Sequence, residues 1–217
     1  MTLHMRAELV ATARRMSQLG LTPGTSGNVS VRTTRGFFVT PSGMPYDELQ
    51  PDDVVAIDLD GTIRPGQRAP STEWRLHRDI LAARPDAQAI VHTHSLFCTT
   101  LSCLRRSLPA IHYTVVLANS DEIPCADYAT FGSSELAASV VRALGRGHAS
   151  LMANHGMVAL GDTLPRALRL AAEIETLAAQ YWHAAQLGQP FILDREELGR
   201  VRQRFAEYGQ PKPGRRL

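Results

Sequence analysis

The sequence predicts an α+β protein in which a mostly antiparallel β-sheet is flanked by helices, giving α/β/α layers. Three observations support this prediction. Short strand-like segments separated by tight turns fill the early chain, helix-like amphipathic segments lie before and after them, and no linker or internal repeat divides the 217 residues. We therefore expect one domain over residues 1–217, with a flexible basic tail at about residues 210–217.

Composition excludes several classes of protein. Apolar residues make up 44% of the chain and charged residues 20%, which is typical of a globular protein. The net charge of +2 gives no indication of nucleic-acid binding. No apolar run approaches the roughly 18 residues of a membrane span, and the N-terminus lacks a signal-peptide core. We therefore expect a cytoplasmic protein without membrane contacts. The three cysteines lack the spacing of a zinc ribbon.

The early chain predicts one helix followed by antiparallel strands. Apolar positions at helical spacing cover residues 6–19, and Gly20 ends the pattern. Strands are expected at residues 29–32, 36–40 and 54–59, with a hairpin turn at Asp60-Gly61. The glycine-bracketed loop at residues 24–28 has two interpretations. Its backbone N–H groups could converge on phosphate oxygens, or it could be a tight turn with local hydroxyl caps.

The second helix is expected to start within the segment Pro70–Glu73. Its buried side would comprise Trp74, Leu76, Ile80 and Leu81. Ser71 is a candidate N-cap, and Glu73 would lie in the first turn, where the helix dipole favours a carboxylate. In the alternative interpretation, Ser71 and Thr72 bind an anion at the helix N-terminus while Glu73 points into a cleft.

The rest of the chain predicts alternating helices and strands joined by polar loops. Strands are expected at residues 89–94, 114–117 and 150–155, the last continuing after Gly156 to residue 160. Helices are expected at residues 96–104, 133–144, 163–187 and 196–208. Ser133 or Ser134 would cap the second of these helices, and Asp162 or Thr163 the third.

Histidines at strand ends indicate a metal site. His92 and His94 are two residues apart on a predicted strand, so both side chains leave the same face. Two neutral imidazoles form half of a tetrahedral zinc site, although a histidine pair can also be satisfied by hydrogen bonds. His155 at another strand end and Glu73 at a helix start could complete a catalytic zinc site. The other histidines, including His77, have weaker claims.

Five motifs occur in order between about residues 5 and 210. They are Gly24-Thr25-Ser26-Gly27-Asn28-Val29-Ser30, Thr40-Pro41-Ser42-Gly43-Met44-Pro45-Tyr46, Pro70-Ser71-Thr72-Glu73-Trp74-Arg75, His92-Thr93-His94 and Asn154-His155-Gly156. Together they resemble the class II aldolase family, which includes fuculose-phosphate aldolases and ribulose-phosphate 4-epimerases. Three further stretches, at residues 109–113, 123–126 and 128–132, are similar to the L-fuculose-1-phosphate aldolase branch.

The resemblance implies a role for each site residue. One zinc ion per subunit would be bound by His92, His94 and His155, with Glu73 as a fourth ligand that can swing away and act as the base. The substrate phosphate would be held by Gly27, Asn28, Ser42, Gly43, Ser71 and Thr72. Tyr113 would be the acid at the aldehyde oxygen, reaching the zinc of a neighbouring subunit in a four-fold homotetramer. The aldehyde end would be lined by Phe131, Phe205 and Tyr208.

The implied reaction is reversible cleavage of a ketose 1-phosphate to dihydroxyacetone phosphate and an aldehyde such as L-lactaldehyde. The only lysine, Lys212, lies in the tail, so the imine route of other aldolases has no candidate residue. Sister activities stay open: sugar-phosphate 4-epimerase, methylthioribulose-phosphate dehydratase and sugar-acid phosphate decarboxylase. The epimerases carry aspartate where Glu73 stands, which argues against the first. A non-catalytic metal-binding adaptor is the alternative of another class.

Overall fold

A seven-stranded sheet forms the centre of the molecule, in a computed structural model that describes residues 2–207. The strands are β1 Asn28–Arg32, β2 Gly36–Val39, β3 Val55–Asp58, β4 Ala89–Thr93, β5 Cys125–Ala126, β6 Ala149–Met152 and β7 Gly156–Gly161. Their order across the sheet is β3-β2-β1-β4-β7-β6-β5. All neighbouring pairs are antiparallel except β5 and β6. The predicted α+β class with a mostly antiparallel sheet is confirmed.

Helices cover both faces of this sheet. They are α1 Thr2–Gln18, α2 Trp74–Ala83, α3 Leu96–Ser102, α4 Ser134–Leu144, α5 Leu164–Leu187 and α6 Arg195–Glu207. Buried residues of α1, α3 and α5 pack on one face with Val91 of β4, whereas those of α2 and α4 pack on the other face with Ile90. The alternation of side chains along a strand thus produces two apolar layers from one continuous buried segment. None of the helices described is long and apolar enough to cross a bilayer.

Helix starts follow the expected capping chemistry in two cases and differ in one. The Ser133 hydroxyl accepts the N–H of Leu136, and the Thr163 hydroxyl caps α5 in the same way. The prediction of Ser71 as the N-cap of α2 was wrong, because the helix begins at Trp74 and Glu73 occupies the N-cap position. Ser71 Oγ instead accepts the N–H of Glu73 at 3.3 Å, which orders the turn before the helix.

The predicted strand at residues 114–117 is a 3-10 helix, Tyr113–Ala118. Its apolar residues are buried against α5, so the strand-like composition reflects burial and not sheet pairing. The His112 ring accepts the N–H of Thr114 and caps the helix. The position beside β6 is taken by β5, a two-residue strand too short to give a periodic pattern.

Residues 150–160 also differ from the prediction of one interrupted strand. They form a hairpin in which β6 and β7 pair with Met152 opposite Gly156. Asn154 in the connecting turn has a φ of 53°, a left-handed conformation that asparagine tolerates well. His155 therefore lies in a tight turn and not at the end of a strand.

The hairpin turn predicted at Asp60-Gly61 is present. Gly61 has a φ of +91°, and Asp58 donates its N–H to the carbonyl of Thr62. The returning segment is reduced to an isolated bridge between Ile57 and Ile63.

Candidate metal centre and substrate cavity

Strand register brings the predicted metal ligands to one place. His92 lies in β4 opposite Asn28 of β1 on one side and Val158 of β7 on the other. Because β7 starts beside the end of β4, the turn that carries His155 lies next to His94. A Cβ atom on Gly156 would lie 2.2 Å from the carbonyl oxygen of Thr93, so this approach of the two strands requires glycine.

Glu73 completes a compact group of four side chains. Its Oε2 lies 3.0 Å from His92 Nε2, and its Oε1 lies 3.1 Å from His155 Nε2. His92 Nε2 and His94 Nε2 are also 3.0 Å apart. All four potential ligand atoms lie within 4.8 Å of one another.

The donor set fits a divalent metal ion. Imidazole nitrogen and carboxylate oxygen are preferred zinc ligands, and three imidazoles with one exchangeable position are typical of catalytic sites. His92 Nδ1 lies 2.9 Å from the carbonyl oxygen of Met157, which can only accept, so Nδ1 carries the proton. The Nε2 atom of the neutral ring is then free to bind metal. Among the described residues, no hydrogen-bond donor satisfies the buried Oε1 of Glu73.

The electrostatics of this group favour the deprotonated, metal-binding forms of His94 and Glu73. Burial and the charges of His92 and His155 lower the pKa of His94 to about 3, so this ring is neutral. Burial alone would raise the pKa of Glu73, but the positive charges of the nearby His92 and His155 rings hold it far below its usual range. Despite burial, the Glu73 charge raises the pKa of His92 when no metal is bound.

A cavity of about 460 Å³ opens above these residues. Glu73, His94 and His155 lie at its base. Its wall includes all six residues predicted to hold phosphate, Gly27, Asn28, Ser42, Gly43, Ser71 and Thr72, together with Phe131. Within residues 2–207 the lining contains no lysine or arginine. Hydroxyl and amide donors are therefore the groups that this chain offers to an anion.

Two glycines shape this wall. Gly27 has a φ of +81°, and a Cβ there would lie 2.7 Å from the carbonyl oxygen of His92. The phenol of buried Tyr46 donates to the Gly27 carbonyl at 2.6 Å. Burial raises the pKa of Tyr46, so the phenol keeps the proton that it donates. Gly43 has a φ of +67° with open space around it, which leaves its backbone accessible from the cavity.

Two further predicted residues, Tyr113 and Phe205, do not line this cavity. Tyr113 and Phe205 lie together with ring centroids 6.0 Å apart, in a separate cavity of about 730 Å³ formed with α5 and α6. Tyr113 is half exposed. Tyr208, predicted at the aldehyde end, and the basic tail at 210–217 lie outside the described residues.

His77 is a neighbour of the site that the sequence analysis did not single out. Its ring is fully buried and contacts Asn28 Oδ1, and Asn28 Nδ2 donates to Glu73 Oε2 at 3.0 Å. The available signal was its position one helical turn after Glu73, on the apolar side of α2. Tyr128 and Asn154 also line the cavity without having been predicted.

Comparison with known proteins places these features in a wider group. Residues 7–182 match the family model described as the class II aldolase and adducin N-terminal domain. A 5-methylthioribulose-1-phosphate/5-deoxyribulose-1-phosphate aldolase of Rhodospirillum rubrum is 48% identical over 205 residues, covering 94% of this chain and 92% of the relative. An L-fuculose phosphate aldolase of Escherichia coli K12 is 43% identical over 203 residues, covering 93% and 94%. A solved structure of an L-fuculose 1-phosphate aldolase superposes with a TM-score of 0.90 at 35% identity, covering 94% of this chain and 96% of the other.

Proposed function

Because the chain belongs to the class II aldolase and adducin N-terminal domain family, we propose that it is a metal-dependent aldolase. It splits a ketose 1-phosphate into dihydroxyacetone phosphate and an aldehyde. The observation that carries the proposal is the placement of Glu73 and the histidines at the base of a cavity walled by neutral hydrogen-bond donors. Negative charge can be stabilised at the base, while a phosphate is held at the wall.

The reaction requires two proton movements. The bond between C3 and C4 of the ketose breaks, the C4 hydroxyl loses its proton to give the aldehyde, and C3 gains a proton to give dihydroxyacetone phosphate. A zinc ion held by His92, His94 and His155, one per subunit, would supply Lewis acidity to the electron pair left on the C3 side. Glu73 moves the proton at C3.

Phosphate binding uses neutral groups in this proposal. The hydroxyls of Ser42, Ser71 and Thr72 and the amide of Asn28 hold the phosphate oxygens beside the backbone at Gly27 and Gly43. The start of α2 adds the positive end of a helix dipole.

The aldehyde half of the site is completed by a second copy of the chain in a homotetramer. Tyr113 acts there on the C4 oxygen, and Phe205 and Tyr208 meet Phe131 at the aldehyde end. This arrangement is supported by the exposure of Tyr113 and by its separation from the metal cavity within one chain.

The proposed substrate class is defined by the dihydroxyacetone phosphate half that the candidate substrates share. L-fuculose 1-phosphate, 5-deoxyribulose 1-phosphate and 5-methylthioribulose 1-phosphate all yield dihydroxyacetone phosphate, and they differ only in the aldehyde released. We propose short deoxy-ketose 1-phosphates as the class, with L-fuculose 1-phosphate and the two pentulose phosphates as the specific candidates. The relative with 48% identity is named for both pentulose phosphates, which supports including them beside L-fuculose 1-phosphate.

Product analysis tests the activity. The zinc-loaded protein is incubated with these three ketose 1-phosphates and with a ketose 5-phosphate, and products are identified by mass spectrometry. We expect dihydroxyacetone phosphate and the matching aldehyde from at least one ketose 1-phosphate. An epimer, a dehydrated product or carbon dioxide instead would identify a sister activity. No product from any compound would favour a non-catalytic adaptor.

Metal analysis tests the site independently of turnover. Wild-type protein should retain about one zinc per chain after dialysis, and a His92→Ala/His155→Ala variant should retain none. His148→Ala is the matched control, because His148 is a half-buried histidine remote from the cluster residues in the fold. Circular dichroism must show that the double variant is folded, since metal binding also stabilises the fold. Full zinc retention in the folded double variant would contradict the assignment.

A further inference from the structure

A buried chain of side-chain contacts leads from the sheet to the candidate base. Ser30 Oγ lies 2.6 Å from His77 Nδ1, His77 Nε2 contacts Asn28 Oδ1, and Asn28 Nδ2 lies 3.0 Å from Glu73 Oε2. Ser30 and His77 are fully buried, and Asn28 and Glu73 nearly so. Neither Ser30 nor His77 lines the metal cavity. Among the described contacts, the hydrogen-bonded route from His77 to Glu73 passes through Asn28.

The elements dictate this connection. Asn28 and Ser30 are two residues apart on β1 and leave the same face of the sheet. Glu73 and His77 are four residues apart at the start of α2, so both side chains leave the same side of the helix. The two pairs interleave, and each contact joins the strand to the helix. The docking of α2 on β1 thus places the amide between imidazole and carboxylate.

The chain of contacts has a direction that can be worked out. An asparagine amide presents a donor on one side and an acceptor on the other, and rotation by 180° exchanges them. Asn28 Nδ2 donates to Glu73 Oε2, so the N–H side of the amide faces the carboxylate. The Asn28 oxygen then faces His77, which must present a proton on Nε2. A neutral ring with that proton has a bare Nδ1, and the Ser30 hydroxyl supplies the donor there.

The opposite direction would be costly. With the proton on His77 Nδ1, the Asn28 amide would donate to Nε2 and turn its oxygen toward Glu73 Oε2. Two acceptors would then lie 3.0 Å apart in a buried site. Burial and the His92 charge, opposed by Glu73, lower the pKa of His77 to about 3, so only one ring nitrogen carries a proton at neutral pH.

We infer that His77 is a positioning residue: its Nε2–H group fixes the orientation of the Asn28 amide, and the amide in turn fixes the Glu73 carboxylate. The Oε2 atom is held by the amide, which leaves Oε1 on the side of His155 to exchange a proton with substrate. Only the catalytic consequence rests on the proposed aldolase function. The direction of the contacts is a property of the protein itself.

Nitrogen NMR of the ring tests that direction without any turnover. In metal-free wild-type protein labelled with ¹⁵N-histidine, His77 should be in the Nε2–H form across about pH 5 to 8. Asn28→Ala removes the acceptor of that proton and should yield a mixture of tautomers, whereas Ser30→Ala should leave the Nε2–H form in place, because the Asn28 oxygen still faces Nε2. Ser150→Ala is the matched control, because Ser150 is a fully buried strand serine that donates to backbone carbonyls instead. An Nδ1–H form of His77 in the wild-type protein would overturn the inference.

A double-mutant cycle tests whether His77 acts through Asn28. His77→Phe should lower kcat by about 10- to 100-fold, the usual effect of removing a group that orients a functional side chain. In an Asn28→Ala background the same change should have little further effect, because the amide that His77 orients is gone. A purely structural role would give independent losses that multiply, and that outcome would refute the inference.

Two outcomes would prevent the kinetic test: a His77→Phe variant that does not fold, and a wild-type protein without aldolase activity. If His77→Phe does not fold, His77→Gln replaces it, since glutamine retains an N–H group for Asn28 and should recover part of the loss. Failure of Asn28→Ala to alter the tautomers would then overturn the inference on its own. If the wild-type protein cleaves no ketose phosphate, the proposed function fails, and the NMR result still decides the direction of the contacts.

Discussion

At the scale of single residues, Glu73 is where the contacts of the site converge. Both carboxylate oxygens lie near imidazole nitrogens, and the Asn28 amide donates to one of them. Tyr113 is remote from this group within one chain and belongs to the other product in the proposed reaction. The two residues should therefore perform different proton transfers.

Replacement of each residue should separate the two transfers. Glu73→Gln should abolish both carbon–carbon cleavage and the exchange of a dihydroxyacetone phosphate C–H proton with deuterated water. Tyr113→Phe should slow cleavage by about 100-fold or more, as expected for loss of the group that transfers the proton at the C4 oxygen, while leaving the exchange largely intact. Proton NMR follows the exchange, and a coupled assay for dihydroxyacetone phosphate follows cleavage.

Two results would contradict this division. Loss of exchange in Tyr113→Phe as complete as in Glu73→Gln would show that the roles are not separate. Unchanged cleavage in both variants would remove the support for the aldolase mechanism itself.

Ser71 offers a second test at this scale. Ser71→Ala should raise KM for a phosphorylated ketose by about 10-fold, as expected for loss of one hydrogen bond to a charged group. Activity toward the unphosphorylated analogue should change little. Ser133→Ala is the control, because this N-cap serine of α4 should cost about 1 kcal/mol of stability without affecting KM. Equal losses on both substrates would identify Ser71 as structural.

Site residues differ in how far the sequence reveals them. His92 and His94 are two apart on a strand, and that spacing alone places both side chains on one face. His155 was singled out for the wrong local reason, since it lies in a turn. The sequence offers only the position of His77 one helical turn after Glu73, because its contacts with Ser30 and Asn28 depend on the docking of α2 against β1, which no local pattern encodes.

At the scale of elements, a carboxylate from α5 holds the start of α3. Glu175 Oε1 accepts the N–H of Phe97 at 2.8 Å, and Oε2 accepts the N–H of Cys98 at 2.9 Å and the hydroxyl of Ser95 at 2.7 Å. A distant residue thus caps the helix that follows His94, satisfying backbone groups that the helix itself leaves unpaired.

Removal of this cap should destabilise the protein. Glu175→Ala leaves two N–H groups without their acceptor, and we expect a loss of about 1–3 kcal/mol in the free energy of unfolding. Urea denaturation measures it. Glu173→Ala is the control, because Glu173 forms only a loose ion pair with Arg169 and should change stability by about 0.5 kcal/mol or less. Similar values for both variants would show that the cap contributes nothing special.

The elements themselves were largely predictable, and the failures share one physical cause. Helices with strong periodicity, such as α4 and α5, were predicted with nearly correct ends because their capping hydroxyls are local signals. Residues 114–117 form a 3-10 helix because their burial comes from packing against α5. Composition records that a segment is buried but not which partner buries it.

At the scale of the whole molecule, buried His77 should make stability depend on pH. Burial and the His92 charge, opposed by Glu73, lower its pKa from 6.5 to about 3 in the folded protein. Between these values the unfolded chain binds a proton that the folded protein does not. Stability therefore rises with pH across this window, and it is lost as the pH falls from about 6.5 towards 3.

The size of this effect can be measured. The shift in the His77 pKa corresponds to a loss of free energy of unfolding on the order of 5 kcal/mol between about pH 6.5 and pH 3. Urea denaturation of metal-free protein at a series of pH values should show the decline, and His77→Phe should show a shallower one. His94 has a similarly lowered pKa, so part of the slope should remain in the variant. An identical slope in both proteins would contradict the prediction.

The separation of Tyr113 and Phe205 from the metal cavity bears on how this scaffold can diversify. In the proposed reaction, the shared half of every candidate substrate would be bound by β1, β4 and the turns beside them, whereas the released aldehyde would be bound by the 3-10 helix and α6. Mutations in α6 leave the pairing of the sheet unchanged, so natural selection can change the aldehyde that is accepted while the bond-breaking apparatus is inherited intact. Directed evolution toward a new aldehyde should therefore begin at residues 195–207 and leave the strands untouched.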